Sequence, residues 1–213
     1  MEAYMNAREF IERIKIVPVV KIDNVKDTDA LMNALCEGGI PIAEITFRTS
    51  CAPEAIKIAS QKYGDKMLVG AGTVINAEQA KLAIQNGAQF IVSPGFAKEI
   101  SDVCNKAGIS YVPGCVTPTE IMAAIACGHK IIKFFPASNY GGVATIKALS
   151  APFGDIVFIP TGGINANNIN DFLAVKSIIA CGGSWMVKDS LVKEGKFDEI
   201  VKICKEAVAI IGG

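Results

Sequence analysis

Histidine is almost missing from this chain: His129 is the single copy in 213 residues. That excludes a histidine-built zinc centre and argues against any triad that needs an imidazole base. Cys127-x-His129 is too small for a metal site, and His129 reads as a turn or strand-edge residue ahead of a strand. Seven cysteines occur but no CxxC. Their odd number and wide spacing describe reduced, mostly buried thiols of a cytoplasmic protein rather than a disulfide framework. Neither sign of charge is in excess, since 21 Lys and Arg balance 21 Asp and Glu. Without a basic stripe or an acidic tail, nucleic-acid and membrane-surface roles have little to rest on. No apolar run approaches membrane-spanning length. The opening residues MEAYMNAREFIERIKI form an amphipathic helix pattern, not the apolar core of a secretory signal. No GxGxxG follows the first strand, and no linker or low-complexity tract divides the chain.

What is present is a high apolar content, 51%, suited to one well-buried domain covering 1–213. Short apolar runs alternate with turns rich in Gly, Pro, Thr and Ser and with helical stretches. The runs are 16–22, 42–47, 67–71, 89–93, 110–113, 130–135, 156–159 and 177–181. Helical stretches fall at about 27–37, 53–61, 77–85, 98–106, 118–126, 143–149 and 168–174, and a last one covers 198–211. Gly38-Gly39, Gly87, Gly108 and Gly128 sit at helix ends, and Asn76, Thr117 and Asn165 near helix starts. Eight strand–helix units predict an α/β fold with a parallel sheet closed into a single (β/α)8 TIM barrel, with an extra N-terminal helix. A doubly wound open sheet is the competing architecture, and the unit count favours closure.

Two charged residues interrupt apolar strands. Lys133 lies in Lys130–Pro136, and alternation places it on one face with Ile131 and Phe135. Glu44 interrupts Ile42–Phe47 and shares a face with Ile42 and Thr46. Buried charges need partners, and these two are the obvious pair. Either the pair is structural, or the amine is a nucleophile and Glu44 moves protons beside it. A free lysine, with a pKa of ~10.4, is neutral in about one copy in 2,500 at pH 7, so a nucleophilic role needs help from its surroundings. Lys21, ending the first strand, is a second candidate amine or an extra anion contact.

The remaining polar residues gather where the C-terminal strand ends should be, which is where barrels of this kind carry their chemistry. Thr161-Gly162-Gly163 and Gly182-Gly183-Ser184 end the last two strands. Their paired glycines let backbone N–H groups approach an anion, and a short helix starting near Ser184 would add its positive end. Arg48 can clamp a carboxylate and Thr73 can donate a hydroxyl hydrogen bond. Together these describe an α-keto acid at an amine, with a phosphate at the far end.

The segments VPVVKI (17–22), AEITFRT (43–49), GAGTV (70–74), SPGF (93–96), VPGCVTP (112–118), KFFPA (133–137), PTGGIN (160–165) and GGSWMV (182–187) resemble the 2-keto-3-deoxy-6-phosphogluconate / 4-hydroxy-2-oxoglutarate aldolase family. The likeness runs through nearly the whole chain. It implies a class I aldolase barrel, usually a homotrimer, with no metal and no cofactor beyond a Schiff base at Lys133. It also implies roles by position. Lys133 matches the Schiff-base lysine and Glu44 the general acid/base. Arg48, Thr73 and Pro94 match residues around the pyruvyl carboxylate, and Thr161, Gly162, Gly163, Gly183 and Ser184 match the phosphate site. Ser138 follows KFFPA where an acidic residue is common in the gluconate enzymes. The Arg48-Thr49 pair points to the gluconate or hydroxy-oxoglutarate type over the phosphogalactonate type. A barrel epimerase or isomerase would need paired acids or metal-ligating histidines at the strand ends. A binding-only barrel would be expected to lose Lys133 or Glu44.

Overall fold

A computed structural model describes residues 7–212. The order of elements is α1 (Ala7–Ile14), β1 (Ile16–Val20), α2 (Asp27–Glu37), β2 (Ile42–Thr46), α3 (Ala52–Tyr63), β3 (Leu68–Gly72), α4 (Ala77–Gln85), β4 (Phe90–Val92), α5 (Lys98–Ala107), β5 (Ser110–Val112), α6 (Pro118–Ala126), β6 (Ile131–Phe134), a 3-10 turn (Ser138–Tyr140), α7 (Gly142–Ser150), β7 (Val157–Pro160), α8 (Ile169–Leu173), β8 (Cys181–Gly183), α9 (Asp189–Lys193) and α10 (Phe197–Ile210).

All strand pairs are parallel. Six strands run in the order β5-β4-β3-β2-β1-β8, and β6 pairs with β7. Single bridges join the two pieces: Gly114 to Lys133 on one side, and Phe158 to Ile178 and Thr161 to Gly182 on the other. The result is an α/β fold whose strand order and bridges fit a single (β/α)8 barrel. Sheets buried on both faces read as continuous apolar runs, and all five residues of β2 are buried. The inward layer is drawn from several strands: Val17, Glu44, Phe90, Val92, Val112, Lys133 and Ile159 surround one small void, which Ile11 of α1 also borders.

Local chemistry explains most boundaries. Asn76 caps α4 by accepting from Gln79 N, and Thr117 with Glu120 forms a capping box on α6, as the sequence predicts. Gly108 ends α5 in the left-handed conformation, φ +67°, which glycine adopts without cost. Asn165 is not the cap of α8. That helix begins at Ile169, and the Asn165 side chain instead accepts from Asn167 N. His129 is buried, with its Nε2 2.6 Å from Ser101 Oγ and its ring edge-on to Tyr111.

The eighth strand departs from expectation. Of the apolar run 177–181, Ile178 makes a single bridge and only its last residue, Cys181, joins the ladder with β1, which continues through Gly182 and Gly183. The glycines read as a loop are strand residues because the Thr161 side chain packs where a Gly182 Cβ would stand. No helix starts near Ser184. A turn runs from Ser184 to Val187, closed by a 3.1 Å bond from Val187 N, and α9 begins at Asp189 after an extended Lys188. The N-terminal helix pattern is described from Ala7 onward, and its first six residues lie outside the described ones.

Candidate active site

β2 and β6 aim Glu44 and Lys133 into the interior. Lys133 Nζ stands 3.0 Å from Glu44 Oε1, with the residues 5% and 3% exposed. Isolated ions this deep would be costly, and each answers the other. The Lys133 strand is tightly indexed: its N–H donates to Pro113 O at 2.8 Å and its carbonyl accepts from Cys115 N at 3.0 Å. Its ammonium also sits 5.5 Å from the Phe135 ring centroid. Gly72 leaves room for the Glu44 carboxylate, which a Cβ there would strike. Among the described residues, no group of three or more His, Cys, Asp or Glu could hold a metal ion.

Above this pair the barrel opens into a cavity of about 590 Å³ at the C-terminal strand ends, lined among others by Lys21, Arg48, Phe135, Thr161, Gly162, Gly163, Gly183, Ser184 and Trp185. Thr161 lines both this cavity and the void holding Glu44 and Lys133. Its buried Oγ1 has no hydrogen-bond partner among the described residues. The sequence reading grouped Thr161 with the phosphate loop; the residue borders both the carboxylate–amine void and the mouth, with its hydroxyl packed against Gly182.

Arg48 Nε donates to Thr73 Oγ1 at 3.2 Å, so the two residues matched to the carboxylate meet. The loop bearing Arg48 is pinned to the end of β1 by Thr46 Oγ1 to Val20 O (2.9 Å) and Thr49 Oγ1 to Ile22 O (2.6 Å). Thr73 has φ +54°, a left-handed conformation that disfavours a β-branched residue. Pro94 does not line the mouth cavity. Its carbonyl packs against Gly114, the neighbour of Lys133 in the sheet. The loop around Pro94 is held by a 2.5 Å contact between the Ser93 and Tyr111 hydroxyls.

Lys21 is already engaged. It lies 2.8 Å from Asp23 and 3.6 Å from Asp189, and the hydrogen bond it donates to Asp23 raises its pKa above the ordinary lysine value. An amine held more firmly as ammonium is a poorer nucleophile, and Lys21 lies outside the buried void that holds Lys133 and Glu44. Sequence reasoning missed Trp185, whose ring packs on Gly183; Ser138, singled out in sequence, packs against Gly163. For Trp185, proximity in sequence to the last glycine pair was the only available signal.

The family described as "Aldolase: KDPG and KHG aldolase" matches residues 7–203. A 2-dehydro-3-deoxy-phosphogluconate aldolase of Treponema pallidum (strain Nichols) is 42% identical over 96% of this chain and 97% of its own. The crystal structure of a KDPG aldolase from Legionella pneumophila, with pyruvate captured as a covalent carbinolamine, superposes with a TM-score of 0.91 at 32% identity, covering 96% of this chain and 99% of that one. A Zymomonas mobilis ZM4 2-keto-3-deoxy-6-phosphogluconate aldolase holding 3-phosphoglycerate gives 0.88 at 34%, covering 96% of each. Sequence, fold and the buried amine–carboxylate pair agree: this chain belongs to the KDPG and KHG aldolase family.

Proposed function

We propose that this protein is a class I aldolase, a carbon–carbon lyase that cleaves 2-keto-3-deoxy-6-phosphogluconate to pyruvate and glyceraldehyde 3-phosphate, and also 4-hydroxy-2-oxoglutarate to pyruvate and glyoxylate. The observation that carries this reading is the 3.0 Å Lys133–Glu44 pair, buried beneath an open polar mouth. Arg48 and Thr73 hold the substrate carboxylate, beside Pro94. Glu44 takes a proton from the Lys133 ammonium, and the amine attacks the C2 carbonyl to give a carbinolamine, which loses water to an iminium. That iminium accepts the electron pair of the C3–C4 bond as it breaks. Glu44, through water, removes the C4 hydroxyl proton as the aldehyde forms, with the unpartnered Thr161 hydroxyl within the same space. The enamine is protonated at C3 and hydrolysed, releasing pyruvate and restoring Lys133. The Legionella pneumophila neighbour's carbinolamine supports the covalent step, and the bound 3-phosphoglycerate of the Zymomonas mobilis protein supports a phosphate at the mouth. Gly162, Gly163, Gly183 and Ser184 would hold it through backbone N–H groups and a hydroxyl. No cofactor enters this scheme. Borohydride reduction in the presence of pyruvate, followed by peptide mass spectrometry, is expected to place a reduced adduct on Lys133; an adduct elsewhere, or none, would falsify the assignment.

The single domain spans 1–213, a closed barrel with α1 as an addition beneath it. It works in the cytoplasm, in keeping with free cysteines throughout the described residues and with no helix there long and apolar enough to cross a membrane. It assembles as a homotrimer. Two apolar patches on different helical segments are exposed, Ile75 with Leu82 at α4 and Met122 with Ile125 on α6. Unlike patches meeting head to tail form a ring when the rotation between copies closes.

A further inference from the structure

Three cationic side chains line the mouth cavity: Lys21, Arg48 and Lys188. Two of them are engaged. Lys21 pairs with Asp23 and Asp189, and Arg48 bonds to Thr73. Lys188 forms no ion pair among the described residues. Its neighbour Asp189 faces Lys21 instead, and Asp23 is shared between Lys21 and Lys193, the latter at 3.2 Å. Two lysines therefore offset two aspartates, and Lys188 is left as unbalanced positive charge on the rim.

Its position is also fixed. The Lys188 carbonyl accepts from Leu191 N at 3.0 Å and from Val192 N at 3.3 Å, opening α9. The Lys193–Asp23 and Asp189–Lys21 pairs strap that helix to the loop after β1. The residue stands four positions beyond Ser184, on the segment that carries Gly183 and Ser184 into the cavity. Backbone N–H groups there can accept an anion but carry no net charge, while an ammonium adds attraction that grows with the charge of the ligand.

We propose that Lys188 is a specificity-determining residue that reads the anionic distal end of the substrate and favours phosphorylated over uncharged aldehyde portions. This rests on the phosphate reading of the glycine loops given above. The test runs in the condensation direction, with pyruvate and either glyceraldehyde 3-phosphate or glyceraldehyde. Lys188→Gln is expected to lower the ratio of kcat/KM for the phosphorylated over the unphosphorylated aldehyde by about threefold to tenfold, through KM rather than kcat. Lys188→Glu should lower it further, and added salt should shrink the wild-type ratio more than that of Lys188→Gln. An unchanged ratio in both variants, beside a wild type that prefers the phosphorylated aldehyde, overturns the role of Lys188 alone. A wild type without that preference overturns the phosphate reading and this inference with it.

Discussion

Among the described residues Glu44 and Lys133 pair with no other charge than each other, and replacing one leaves the other to be accommodated. Glu44→Gln keeps the shape and a hydrogen bond to the amine but cannot take up a proton. Its kcat is expected to fall by about 100-fold or more, with folding checked by circular dichroism; wild-type turnover would place the proton relay elsewhere. Gly72→Ala drives a methyl group into the Glu44 carboxylate and should cost activity although no polar group is removed. Thr73 holds φ +54°, a conformation worth about 1–2 kcal/mol of strain outside glycine. Thr73→Gly should therefore unfold at the wild-type temperature or slightly above while raising KM for pyruvate, because the hydroxyl beside Arg48 is gone. These residues are legible in sequence for a simple reason: a charge at an inward position of an apolar strand has few explanations. Lys21 is less legible. Asp23 stands two residues away, but the second partner of Lys21, Asp189, comes from the far end of the chain, and no local pattern announces that contact.

Helix boundaries follow caps closely, so element-level predictions concern caps. Thr117→Ala removes one side of the α6 capping box and is expected to cost about 1 kcal/mol, or about 2–4 °C in a thermal melt for a chain this size. Activity per folded molecule should persist, since α6 carries none of the site. Where elements were misplaced, tertiary contacts overrode a local signal. Ser177–Ala180 has the composition of a strand, yet its neighbours offer only the Ile178 bridge. Gly182 and Gly183 have the composition of a loop, yet they complete the ladder with β1 because only a residue without a side chain fits beside Thr161 and Trp185. The short helix expected near Ser184 begins instead at Asp189, because five residues are too few for their period to fix a boundary.

At the scale of the whole molecule, stability should depend on acid through its one histidine. Burial lowers the His129 pKa below its ordinary 6.5. The unfolded chain then binds a proton near pH 6.5 that the folded chain refuses until lower pH. Stability is full above about 6.5 and declines as the pH falls from there toward the folded value. Denaturant melts between pH 7 and 5 should show that slope in wild type and a flatter one in His129→Gln; equal slopes would remove His129 as the cause. The assembly has its own test. Met122→Glu places a charge on an exposed apolar residue of α6 and, on the proposed trimer, is expected to give a monomer in light scattering.

The void around Lys133 is bordered by Ile11 of α1 and shares Thr161 with the mouth cavity, and that arrangement gives the proposed reaction a direction in time. The pyruvyl portion is bound innermost and covalently, and the aldehyde lies between it and solvent. The aldehyde must depart first and pyruvate last, by the same route. Pyruvate should therefore inhibit cleavage competitively against the sugar acid, while the aldehyde product should inhibit non-competitively, a pattern that initial-rate measurements with each product added can read directly.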